Sequence, residues 1–134
     1  MLAHHRQVRD CLAHWRGVEN DTAGDGFYAT FDGPALAVRC ALEVVDRVRG
    51  LGVEIRAGVH TGECETVDGK YGAIAVATGA RLCALAGPSQ ILVSQTVKDL
   101  VTGSGLVSSD HGEPALRGLP QSWHLFVAAG PTRW

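Results

Sequence analysis

Residues 21–31 read DTAGDGFYATF: an acid, Asp25, stands between two glycines and is followed by alternating aromatic and small residues. Asp-Gly is favoured in two-residue type I′ hairpin loops, because both loop positions need a positive φ. The stretch therefore predicts a hairpin with Asp25-Gly26 between a weak strand, Val18 to Ala23, and a better one, Phe27 to Phe31. A plain turn is one reading of Asp25. The other is a metal carboxylate, because a hairpin tip is a rigid place from which an acid reaches Mg²⁺ or Mn²⁺, hard ions that take oxygen ligands and bind with substrate phosphates.

Outward from the hairpin, helices and strands alternate. Upstream, His5 to Trp15 places Val8, Cys11, Leu12 and Trp15 at helical spacing. Downstream, Asp32 is placed to cap a helix with Pro34 in its first turn, and Val38, Ala41, Leu42, Val45 and Val48 recur on one face until Gly50. VEIRAGVH, Val53 to His60, alternates as a strand with one buried face. A short strand from Tyr71 to Val76, a helix from Thr78 to Ala86 stopped by Gly87-Pro88, and a strand from Ile91 to Val93 follow. Ser94 is placed to cap a short helix through Val101, and Trp123 to Ala128 forms a last strand after a turn-rich segment around Gly112 to Pro120. This order predicts an α+β fold, a ferredoxin-like sheet with helices on one face.

The chain of 134 residues, 46% hydrophobic and 19% charged, suffices for one domain with its own core. A net charge of −2, with Lys and Arg scattered, offers no basic field for nucleic acid or an anionic membrane. Four separated cysteines, Cys11, Cys40, Cys64 and Cys83, form no CxxC pair and suit free thiols in a reducing cytoplasm. Apolar runs fall short of the roughly 20 residues of a membrane span, and the first residues lack a signal peptide's apolar segment. The expectation is a soluble, cytoplasmic domain over residues 1–134.

Other candidate sites are weaker. His60 and Glu63 in HTGE could form an acid–base or metal pair, but a histidine at a strand end before a Thr-Gly turn is more often hydrogen-bonded structure. His4, His5, Cys11 and His14 match no established zinc spacing. GxSxG, P-loop and GxGxxG sequences are absent, which sets aside serine hydrolase, Walker-type and Rossmann chemistry.

The order of the pieces carries more. GDGFYATF, a helix rich in Ala and Val, VEIRAGVHTGE, YGAIAVATGARLCALAGPSQILVS, TVKDLV and LRGLP together resemble the bacterial class III adenylate or guanylate cyclase catalytic domain, collinearly from about Asp21 onward. The resemblance implies a homodimer paired head to tail with ATP or GTP at the interface. There the ribose 3′-hydroxyl attacks the α-phosphate and releases pyrophosphate, with two metal ions, Mg²⁺ or Mn²⁺, held by two aspartates. It assigns Asp25 as the second metal aspartate and Arg81 as the arginine that stabilises the charged transition state, a role suited to a permanently charged fork of donors.

Several positions depart from the family's pattern. The first metal aspartate, on an N-terminal strand, has no counterpart ahead of the first helix, so the resemblance implies a domain lacking its N-terminal central strand. Asp21 stands where the base-selecting lysine is usual, and Lys70 where the base-selecting aspartate falls. The exchange has two readings: a reversed salt bridge that still offers a donor and an acceptor to a base, or two exposed charges at drifted positions. Ala77 replaces the asparagine four residues before Arg81 and has nothing to offer the ribose, and Arg117 takes the place of a structural lysine. Two functions follow: a cyclase of low activity, or a degenerate cyclase-homology module that dimerises or binds nucleotide in a regulatory role.

Overall fold

The computed structural model describes residues 2–23, 26–61, 73–112 and 124–129. The elements are α1 (Leu2–His14), β1 (Val18–Ala23), β2 (Gly26–Thr30), α2 (Pro34–Arg49), β3 (Ala57–Val59), α3 (Ala73–Leu85), β4 (Ile91–Ser94), α4 (Gln95–Val101), β5 (Val107–Gly112) and β6 (Leu125–Ala129). They form two sheets among the described residues. One is the antiparallel hairpin β1–β2, and the other has four strands in the order β3-β4-β6-β5, with β3 and β4 parallel and the remaining pairs antiparallel.

The hairpin forms where the sequence places it, with two differences in detail. Its last ladder pair is Ala23 with Gly26, so Gly26 opens β2 instead of closing the loop. The register shifts between Glu19 and Asp21, a β-bulge that leaves Asn20 without an opposite residue and sets Asp21 across from Tyr28. Gly17 feeds the chain into β1, and a Cβ there would lie 2.6 Å from the Phe31 ring and 2.8 Å from Leu12.

Helix α2 is the shared support of the molecule. Its apolar residues serve two cores: Val38 and Val45 pack with Ile91, Val93, Val97 and Val101, while Cys40, Val44 and Val48 pack with Val8, Cys11 and Leu12 of α1 and with Ala29 and Phe31 from the hairpin. The single stripe expected from Val38 to Val48 is therefore divided between two directions. Ile55 touches both cores and joins them. Gly33, not Asp32, is the N-cap of α2, without a side-chain hydrogen bond, and Pro34 occupies the first turn as expected.

Strand β4 is buried along its whole length and divides the larger sheet's two faces. Ile91 and Val93 point toward α2 and α4, whereas Leu92, with Leu125 and Val127 of β6, meets Leu82 and Ala86 at the other side. The α+β class holds, but the helices are not confined to one face: α2 and α4 cover one side and α3 the other. The interval expected as a strand from Tyr71 to Val76 instead opens α3 at Ala73, residues 71 and 72 lying outside the described part. Of the strand expected over Val53 to His60, only Ala57–Val59 joins a described ladder. β5 is a strand the sequence did not predict, and it pairs at the edge with β6. No described helix is long and apolar enough to cross a membrane.

Candidate functional site

Arg81 is presented by the C-terminal half of α3. The next residue, Leu82, is fully buried and, with Ala86, holds this part of the helix to Leu92 and Leu125. Arg81 itself is exposed, and it makes no hydrogen bond or ion pair among the described residues. Helical geometry sets Ala77 one turn before it on the same helix. A guanidinium held on an anchored helix, with no partner among the described residues, can donate to an external anion.

The helix approaches β3 unusually closely. A Cβ at Gly58 would lie 2.4 Å from Cys83 N, 2.6 Å from Gly79 O and 2.7 Å from Leu82 Cβ, so only glycine permits the contact. A second tie runs from the Cys83 thiol, which donates to the Arg56 carbonyl at 3.4 Å. Burial raises the Cys83 pKa, partly offset by the Arg56 charge.

The other positions are distributed as follows. Asp21 lies in β1, on the hairpin, whereas Arg81 lies on α3, which packs against β3 and β4 of the other sheet. Asp25, Glu63, Lys70 and Arg117 lie outside the described residues.

His60 follows β3, and its Nδ1 lies 3.0 Å from Ser94 Oγ. Ser94 is fully buried at the end of β4, where its Oγ also accepts the Val97 N–H at 3.4 Å and caps α4 as its sequence position predicts. Burial holds the His60 pKa below its usual value. The hydrogen-bonded reading of this histidine is the one the geometry supports.

In α1, Cys11 is buried with its thiol pKa pushed up to about 12, first by burial and then by hydrogen bonding to Glu43. Such a thiol stays protonated and is a poor metal ligand. His14 Nδ1 lies 3.2 Å from Glu43 Oε1, so this cluster fastens α1 to α2. Among the described residues no group of three His, Cys, Asp or Glu side chains is placed to hold a metal ion.

Sequence reasoning passed over Gly58, the tie from Cys83 to Arg56 and the pair of Asp110 and His124, 2.7 Å apart. The last forms because β5 and β6 pair, with His124 stacked on Phe126 at 4.8 Å. Only the small residue at the centre of AGV signalled any of these.

No protein-family model matches the chain. Among curated relatives, an uncharacterized protein of Mycobacterium tuberculosis is 37% identical over 101 residues, covering 73% of this chain and 35% of the relative. A second uncharacterized protein of that organism is 35% identical over 137 residues, covering 94% of this chain and 54% of its own length. The chain thus spans between about a third and about half of these relatives. Among solved structures, an adenylate/guanylate cyclase/hydrolase from Silicibacter pomeroyi superposes with a TM-score of 0.80 at 26% identity, covering 98% of this chain and 82% of that one. A Trypanosoma brucei adenylate cyclase in its monomeric state gives 0.82 at 20% identity, with 98% and 78% covered. A guanylate cyclase domain from Catenaria anguillulae in complex with GTP gives 0.79 at 15% identity, with 96% and 81% covered.

Proposed function

We propose that this chain, which has the fold of the class III adenylate/guanylate cyclase catalytic domain, binds a nucleoside triphosphate and turns it over slowly to the 3′,5′-cyclic nucleotide and pyrophosphate. The observation that carries the reading is Arg81, exposed on an anchored helix with no partner among the described residues. Its guanidinium donates N–H groups to phosphate oxygens as the ribose 3′-oxygen bonds to the α-phosphorus and pyrophosphate departs. Asp25 would hold Mg²⁺ or Mn²⁺, and the ion, when bound, would neutralise triphosphate charge. Asp21 and Lys70 flank the base, as a donor and acceptor pair of reversed order.

The active form is a homodimer, with Asp25 and Arg81 of one site drawn from different copies. Asp21, on the hairpin, and Arg81, on α3, are carried by different elements of the chain, and the resemblance puts the nucleotide between two copies. Exposed Val18, Leu85 and Leu100 supply apolar surface for the contact. Light scattering at high micromolar concentration is expected to give a dimer, and a monomer there counts against the arrangement. Residues 1–134 act as one domain, and the free thiols of Cys11, Cys40 and Cys83 suit a reducing, cytoplasmic setting.

Turnover is expected to be low, because Ala77 leaves the ribose without a polar partner, a loss on the order of 10²-fold for a single such group. The same residue favours the second reading, a regulatory module that binds nucleotide without chemistry. The deciding assay measures cyclic nucleotide from ATP and from GTP with Mn²⁺, on the chain and on Asp25→Ala and Arg81→Ala. Slow formation lost in both variants supports the enzyme; nucleotide binding with no product supports the regulatory module. Calorimetry with Mn²⁺ alone should give little heat until nucleotide is added, and tight binding by the free protein would sink the role assigned to Asp25.

A further inference from the structure

We infer that Gly58 is a positioning residue for Arg81, setting where the guanidinium is presented by letting the backbones of β3 and α3 touch. The inference rests on the reading of Arg81 as a phosphate-contacting group. Three observations converge on it. The atoms that a Cβ at Gly58 would strike, Gly79 O, Leu82 Cβ and Cys83 N at 2.4 to 2.7 Å, bracket Arg81 on both sides along α3. Two of the three are backbone atoms, which no rotamer change moves aside, so any side chain at residue 58 displaces the helix itself. The Cys83 thiol bond to the Arg56 carbonyl ties the same turn of α3 to the chain entering β3.

The geometry also gives a direction. Gly58 is paired with Leu92 in the parallel ladder, and Leu92 lies in the same cluster as Leu82, so the strand presents Gly58 toward α3 through the pleat that buries Leu92. Restoring ordinary contact, 3.4 Å or more, from 2.4 Å requires a shift of about 1 Å. A misplacement of about 1 Å at a group that meets the reacting atoms can cost about 10²-fold. Gly79 is the internal control: it lies two residues before Arg81, yet a Cβ there meets nothing within 4 Å.

The test is a double-mutant cycle read by binding of Mn²⁺ with a fluorescent ATP analogue to the full chain. Arg81→Ala and Gly58→Ala are each expected to weaken binding about tenfold, and Gly79→Ala to leave it within about twofold. In the Arg81→Ala background, Gly58→Ala should cause no further loss, because the group it displaces is already gone. General damage to the fold would instead persist in that background, and an additive loss overturns the inference. So does unchanged binding in Gly58→Ala when Arg81→Ala is weakened. If Gly58→Ala lacks the native circular dichroism spectrum, the cycle is run with Cys83→Ala, which removes the thiol tie without adding a clash; a loss that is absent, or that is additive with Arg81→Ala, again overturns it. Failure of the reading beneath it looks different: the unaltered chain then does not bind the analogue, or Arg81→Ala binds as well as it does.

Discussion

Replacing Ser94 by alanine removes one buried oxygen that serves two elements. The hydroxyl caps α4 by accepting from Val97 and is the partner of His60 Nδ1. At 3.4 Å the cap bond is long, so its loss belongs at the low end of cap substitutions, about 0.5 kcal/mol. The 3.0 Å bond to half-buried His60 is well formed, and its loss costs about 1–1.5 kcal/mol. The sum is about 2 kcal/mol. With a urea slope of about 1–3 kcal/mol/M, the unfolding midpoint falls by about 1 M. Urea titrations followed by circular dichroism, at fixed protein concentration and pH 7.5, measure it. Burial lowers the His60 pKa below 6.5, so in the pH interval just below that value the unfolded chain binds more protons than the folded one. His60 therefore costs nothing above about pH 6.5, and stability falls as pH drops from there toward the folded value. The pH dependence should persist in Ser94→Ala, because burial and not the hydroxyl causes the shift. A loss under about 0.5 kcal/mol would refute the claim that this hydroxyl is shared by strand and helix.

Two further outcomes follow from the packing and charges. Leu92→Ala, at a fully buried site, should cost about 2–5 kcal/mol in the same titration, while Leu51→Ala, with its side chain exposed and outside the proposed dimer contact, should stay within about 0.5 kcal/mol. Burial pushes the Glu43 pKa up, but hydrogen bonds from His14 and Cys11 and the charges of Arg47 and His14 outweigh it and lower the value overall. Glu43 thus contributes stability that is present above about pH 4.5 and is lost as pH falls through its folded value. Glu43→Gln should flatten the acid limb of a stability profile and cost no more than about 1 kcal/mol at pH 7, and an unchanged limb would remove Glu43 from the α1–α2 contact.

The family resemblance was legible because its motifs are local and collinear. The hairpin at residues 18–30, α1, α2 and the Ser94 cap were readable for the same reason: each depends on short-range patterns, an Asp-Gly pair, a helical apolar repeat, a proline in a first turn, a hydroxyl before a helix. Local pattern failed where pairing or packing decided the outcome. Val107–Gly112 reads VSSDHG, too polar to announce a strand, and it becomes one because β6 offers its edge. Ile74 and Val76 suggested a strand by composition, yet they lie in α3, whose alanines favour a helix once Leu82 and Ala86 are buried. The alternation of VEIRAGVH was read as a strand over its whole length, but a strand needs a partner, and only Ala57–Val59 has one in β4. The sequence likewise named Arg81 through a resemblance and could not say what holds it. That is decided by Gly58 against the backbone of α3, a contact between residues more than twenty apart in the chain, which exists only when strand and helix have packed.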